Sequence, residues 1–143
     1  MPTVASPPVL VSLDKPDLVR LGELSARLGA DTTKDWSGRL GRSGTVVVGA
    51  ELDGRLVAYV AAEVRRSFGR PTPGAWIDAF GVDLAYRGHG IGRSLLAALL
   101  SRLRSLGADH VFTLVPLHDR TIGPFFRELG FRDEPITPLG REL

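Results

Sequence analysis

Residues 86–107 read YRGHGIGRSLLAALLSRLRSLG. Three glycines at alternate positions, Gly88, Gly90 and Gly92, stand between Arg87 and Arg93 and open into a leucine-rich run. Ile91, Leu95, Leu96, Leu99, Leu103 and Leu106 recur at helical spacing, and Arg93, Ser101, Arg102 and Arg104 fall mostly off that stripe. The pattern predicts an amphipathic helix that ends at Gly107. Glycine costs about 0.5–1 kcal/mol relative to alanine in regular structure, so a cluster at a helix start calls for a reason. The first turn of a helix presents unpaired backbone N–H groups and a partial positive charge. Glycines let those amides approach a bulky anion, and the two arginines add donors, so the stretch suits a phosphate or pyrophosphate. The plainer reading of the same residues is a flexible turn whose glycines serve only packing.

Upstream, GAWIDAFGVDL (74–84) predicts a strand interrupted at Gly81, which suits a bulge or a close backbone approach. Before it, TVVVGAEL (45–52) and RLVAYVAAEV (55–64) are β-branched runs joined by Asp53-Gly54, a strong two-residue hairpin signal. RRSFGRPTPG (65–74) reads as a loop by composition. Downstream, HVFTLV (110–115) is a short apolar strand, and residues 121–129 form a helix stopped by Gly130. Phe131 then begins a short strand or an extended tail. At the other end, residues 1–8 are a Pro-rich lead-in and residues 9–143 a single domain. That domain starts with a strand at 9–13 and a helix at 16–28 for which Asp14 is available as a cap. A weaker helix or loop comes next at 31–42, around Trp36. The order β-α-(α)-β-β-β-α-β-α-β describes an α/β fold: a mixed, mostly antiparallel central sheet flanked by helices, with a meander running into a βαβ unit.

Composition narrows the function classes. The chain has 143 residues, a formal net charge of +2 and no cysteine, which removes disulfides, thiolate metal sites and any relay through an enzyme thiol. His89, His110 and His118 show no metal-ligand spacing, so no metal is expected. Lys15 and Lys34 are the only lysines, and the arginines are scattered rather than gathered in a basic stripe with interleaved aromatics, which argues against nucleic acid. No run approaches the roughly 18 apolar residues of a membrane span. MPTVASPPVL lacks the basic start and long apolar region of a signal peptide, so a cytoplasmic protein with no membrane partner is expected.

Two anionic ligand classes compete for the glycine entrance. A dinucleotide-binding turn wants G-x-G-x-x-G early in a parallel sheet, with an acidic residue about 20 positions on. Here the spacing is G-x-G-x-G, antiparallel strands precede it, Asp109 lies before the next strand and Asp119 is too distant. By contrast, RGHGIG (87–92) matches [QR]-x-x-G-x-[GA], the acyl-CoA pyrophosphate motif of the GNAT superfamily of N-acyltransferases. VDLAYRGHGIGRSLL (82–96) resembles that family's strand–loop–helix core, and FFRELGF (125–131) resembles its second signature, an aromatic-x-x-L-G-F helix end. The resemblance extends over residues 45–131 and is looser before them.

The resemblance implies an acetyl-CoA-dependent N-acetyltransferase whose strands beside the cofactor splay apart. By the same likeness, the backbone from Arg87 through Gly88, His89, Gly90, Ile91 and Gly92 to Arg93 holds the CoA pyrophosphate. The strand around Phe80 and Val82 is expected to pair with the pantetheine arm, and an N–H near Val82 to polarise the thioester carbonyl. Asp78 is the first candidate for the base, on a strand whose alternation sets Asp78, Phe80 and Val82 on one face; a carboxylate satisfied by a neighbouring arginine is the competing reading. Glu63 is the second candidate, and Glu51 and Asp83 read as hairpin-edge and turn residues. Many members of the family carry a tyrosine in the last helix that protonates the departing thiolate, and Phe126 stands there instead. Water or His118 is left for that role. Asp119 falls near a cofactor-contacting asparagine of the family and equally suits a helix N-cap, the reading preferred here. With no cysteine, direct attack of a primary amine on the thioester is the simplest mechanism. The alternative is a catalytically weak CoA-binding regulatory or interaction module. The acceptor is open: Asp31, Asp35 and Trp36 suit a cationic amine, whereas Arg65, Arg66 and Arg70 suit an acidic one. Homodimers are common in the family, without a signature in this sequence.

Overall fold

The computed structural model describes residues 7–29, 36–66 and 70–143. Five strands form one sheet in the order β1-β2-β3-β4-β5: β1 Val9–Ser12, β2 Thr45–Leu52, β3 Arg55–Arg66, β4 Pro73–Val82 and β5 Val111–Thr113. The first four pair antiparallel and β5 joins β4 in parallel. The helices are α1 Leu18–Arg27, a single turn α2 Trp36–Arg39, α3 Ile91–Ser105 and α4 Ile122–Glu128. No helix among the described residues is long and apolar enough to cross a membrane.

Local chemistry explains the elements. Asp53 and Gly54 both adopt positive φ (52° and 75°), the geometry of a two-residue hairpin turn, and Leu52 pairs with Arg55 across it. Asp14 accepts the Lys15 N–H (2.7 Å) and Asp17 accepts the Asp14 N–H (2.8 Å), a reciprocal cap on the 3-10 turn Lys15–Asp17 that leads into α1.

The sheet is covered on both faces. On one, Ile91, Leu95, Leu96, Leu99 and Leu103 of α3 and Phe126 of α4 pack on Val46, Val48, Val60 and Ile77. Each of these apolar side chains contributes about 1.5–3 kcal/mol on burial, which outweighs the glycines at the start of α3. On the other, Leu21 and Leu24 of α1 and Trp36 of α2 pack on Val47, Tyr59 and Ala61.

Several expectations are corrected. Residues 65–74 read as a loop by composition, but β3 runs to Arg66 and β4 starts at Pro73, with Arg65 opposite Gly74; residues 67–69 lie outside the described residues. A proline is tolerated as the first residue of a strand, so composition misleads there. The bulge lies not at Gly81 but between Ile77 and Ala79, where Ala62 pairs with Ile77, Ala61 with Ala79, and Asp78 is the extra residue. Gly81 is instead a close approach, since a Cβ there would sit 2.8 Å from Leu28 Cδ1 and 3.0 Å from Tyr59 Cε1. The strand expected over 110–115 is cut to Val111–Thr113, whereas after Phe131 the chain takes the second of its two readings, a tail without regular structure. Of the weak helix at 31–42, the described part is the turn Trp36–Arg39; Asp31 and Asp35 lie outside the described residues.

Candidate functional site

The bulge at Asp78 decides the geometry. β5 pairs with β4 only at Ala75–Val111, Trp76–Phe112 and Ile77–Thr113, and Thr113 Oγ1 closes the pairing by donating to the Ile77 carbonyl (3.1 Å). Beyond the bulge β4 continues through Phe80 to Val82 without β5 beside it. Asp83 donates its N–H to the Val57 carbonyl (2.8 Å). Antiparallel alternation therefore turns the N–H and C=O groups of Phe80 and Val82 away from β3, into the wedge left by β5. Arg87 Nε reaches back to donate to the Val82 carbonyl (3.1 Å), tying the glycine loop to the end of that open edge.

The loop then delivers the edge to a helix N-terminus. Gly88 and Gly90 take positive φ (84° and 77°), and a Cβ on either would meet nothing within 4 Å, so backbone conformation and not crowding requires glycine. Gly90 is the N-cap of α3 and has no side chain with which to cap it, so the first-turn N–H groups have no intrahelical partner. Gly92 differs: its Cβ would lie 3.1 Å from Phe80 Cζ and 3.3 Å from Phe125 Cζ. His89 is exposed, and Arg93 reaches Glu128 of α4 at 3.6 Å with both side chains largely in solvent.

A cavity of about 400 Å³ occupies the wedge. One side of its wall is aromatic and aliphatic: Phe80, Phe126, Ile122 and Leu114. Phe80 stacks on Phe125 (centroids 5.2 Å apart), and Phe126, 3% exposed, packs edge-on against Phe125 and Phe131. Phe126 is thus core and wall together.

The other side is charged. The extra residue reverses the alternation, so Ile77, Phe80 and Val82 face α3 and α4, whereas Asp78 turns toward α2. The expectation that Asp78 shares a face with Phe80 and Val82 is therefore corrected; both Asp78 and Phe80 line the cavity, but from opposite faces of the sheet. Arg39, the last residue of α2, donates from Nη2 to Asp78 Oδ1 (2.8 Å), while its Nε stands 3.7 Å from Glu63. Its guanidinium carbon lies 5.2 Å from the Trp36 ring centroid, and only 12% of the side chain is exposed. Glu63 is also approached by Arg42 (3.6 Å) and Arg65 (3.3 Å). Sequence reasoning missed Arg39, whose one signal was a neighbouring aromatic.

The remaining candidates fall outside this arrangement. His118 is exposed on the loop before α4 and does not line the cavity. Asp119 is not itself the N-cap of α4, which is Thr121, but stands two residues before it, where its Oδ1 accepts the N–H groups of Thr121 (2.8 Å) and Ile122. Those two bonds, that from Ile122 first, hold its carboxyl below the usual aspartate range. Asp83 is a turn residue. Burial pushes its carboxyl up, but the Ala85 N–H and the guanidinium of Arg27 (3.0 Å) outweigh that and hold it low. Trp36 and Tyr59, in edge contact at 5.7 Å, are buried core, and burial pushes the Tyr59 phenol up.

The sequence model of the acetyltransferase (GNAT) family matches residues 13–131. No curated protein matches the chain. Among solved structures, AAC(6')-Iy in complex with the bisubstrate analogue CoA-S-monomethyl-acetylneamine superposes with a TM-score of 0.85 at 17% identity, over 96% of this chain and 99% of that one. The aminoglycoside acetyltransferase meta-AAC0020, from an uncultured soil metagenomic sample, gives 0.81 at 18% identity over 99% of each chain. An acetyltransferase of Trypanosoma brucei gives 0.75 at 26% identity, over 95% of this chain and 99% of that one.

Proposed function

The chain belongs to the acetyltransferase (GNAT) family, and from that premise we propose that it moves an acetyl group from acetyl-CoA to a primary amine by direct attack in a ternary complex. The observation that carries the reading is the continuity of the open edge of β4 with the uncapped start of α3. A pantetheine arm needs an extended backbone partner, and Phe80 offers an N–H and a C=O facing the wedge, with the Val82 N–H beyond them. A pyrophosphate needs converging N–H groups without side chains in the way, and residues 87–93 supply them. The residues present therefore fit the group.

Acetyl-CoA supplies a thioester, an acyl group activated toward amines. Val82 offers its N–H to the carbonyl oxygen as that oxygen gains negative charge, an interaction worth about 2.7–4 kcal/mol in comparable sites. The amine nitrogen must be unprotonated to attack the carbonyl carbon, and lysine-type amines have a pKa near 10.4. Asp78 accepts the proton, directly or through water. The C–N bond forms, the nitrogen gives up its second proton to solvent, the C–S bond breaks, and the thiolate is protonated by solvent, because Phe126 has no proton to give. Arg39 fixes the Asp78 carboxylate through its Nη2 donor.

Initial rates measured while both acetyl-CoA and an amine are varied test the mechanism. Direct attack gives intersecting double-reciprocal lines. Parallel lines, the sign of an acetylated enzyme, contradict it.

A further inference from the structure

Resting on the acetyl-transfer reading, the geometry points to a substrate class: we propose that the acceptor is a small amine carrying a carboxylate close to its nitrogen, as in a free α-amino acid. Asp78 and Arg65 line the same cavity, one on each of two neighbouring strands. Arg65, Glu63, Trp76 and Asp78 share the α2-facing side of the sheet, since Glu63 pairs with Trp76 and Arg65 lies two residues farther along β3. A zwitterion placed there sets its ammonium toward Asp78, which takes the proton, and its carboxylate toward Arg65, whose guanidinium suits a carboxylate in two-point contact.

Arg65 is free to do this. Its present partner is Glu63 at 3.3 Å, and 55% of the Arg65 side chain is in solvent, a setting in which ion pairs contribute little. Glu63 keeps Arg39 and Arg42 nearby at 3.7 and 3.6 Å, so the exchange leaves no bare carboxylate behind. The other two arginines of this end are differently placed. Arg66 alternates to the opposite face at the end of β3, and Arg70 is engaged with Asp109 at 3.5 Å. Among the described residues, Arg39, Arg42 and Arg65 outnumber Glu63 and Asp78 here, a balance that accommodates a neutral zwitterion.

The reaction balances as ammonium plus thioester going to amide, free thiol and one released proton: N–C forms, C–S breaks, and the carboxylate is untouched. The test measures kcat/KM for the standard L-amino acids beside their α-amides and the corresponding decarboxylated amines, with release of free thiol as the signal. The expected result is a preference of about tenfold or more for at least one amino acid over its amide and its amine. Arg65→Gln then shrinks that preference mainly through KM, Arg65→Lys recovers part of it, and Arg66→Gln leaves it as in the unaltered protein. Equal or better turnover of amides and amines, preferred acetylation of a peptide N-terminus, or a preference indifferent to Arg65→Gln overturns the proposal alone. No turnover with any amine and no stabilisation by acetyl-CoA overturns the acetyl-transfer reading with it.

Discussion

Arg39 Nη2 and Asp78 Oδ1 stand 2.8 Å apart, joining the last residue of α2 to the extra residue in the bulge of β4. The contact fixes the carboxylate where the cavity crosses from one face of the sheet to the other. If Asp78 accepts the amine proton, Asp78→Asn lowers kcat by roughly 10²–10⁴. KM for acetyl-CoA moves far less, because the open edge and the glycine loop are intact. Steady-state kinetics decide this, and a kcat within a few-fold of the parent reduces Asp78 to a partner of Arg39.

The three glycines of the cradle should respond differently to substitution. Gly88→Ala and Gly90→Ala force an L-residue into the left-handed region, which costs about 1–2 kcal/mol each and tilts the N–H groups away from a common point. Chemical unfolding reads the first effect and acetyl-CoA titration the second. Gly92→Ala meets ring edges at 3.1 and 3.3 Å and calls for a small shift of Phe80 or Phe125, whereas Gly92→Val blocks the packing of α3 on both rings. Equal tolerance of alanine and valine at position 92 contradicts this.

Phe126→Tyr places a phenol where many members of the family carry one. A thiol with a pKa near 8.5 departs into water without a dedicated donor. The variant is therefore expected to gain less than about tenfold in kcat, short of the 10²–10⁴ that a proton donor contributes. A gain in that larger range would show that the parent lacks an acid it needs.

Asp119 links stability to pH. Its carboxyl is held below the ordinary aspartate range by the Ile122 and Thr121 N–H groups, so the folded state favours the charged form. The stabilisation is present above the ordinary pKa near 3.9 and is lost as pH falls through the lower folded-state value. Asp119→Ala is expected to unfold more easily than the parent at pH 7, and the gap should narrow below about pH 4. Urea unfolding across that range is the measurement, and a gap that widens in acid contradicts the sign.

Much of the fold was legible in the residues. The period of Leu95, Leu96, Leu99 and Leu103, the glycines ahead of it and the Asp53-Gly54 turn are local signals, and each appears where the chain chemistry puts it. The bulge was not legible, because a period of two carries no mark of the one residue that breaks it. That one shift produces the reversed face of Asp78 and the short β5, whose Leu114 and Val115 have no strand edge left to join. Arg39 was hidden for another reason: it comes to Asp78 from 39 positions away, through the packing of Trp36 against Tyr59.

The most direct test of the central claim is thermal unfolding in the presence of acetyl-CoA, CoA, NAD and ATP in parallel. A ligand at 100 times its Kd adds roughly 2.7 kcal/mol, or on the order of 5–10 °C for a chain of this length. A rise in Tm with acetyl-CoA and CoA alone, lost in Gly90→Ala, is the predicted result. A rise with NAD or ATP and none with acetyl-CoA would contradict the account and return the glycine loop to general phosphate binding.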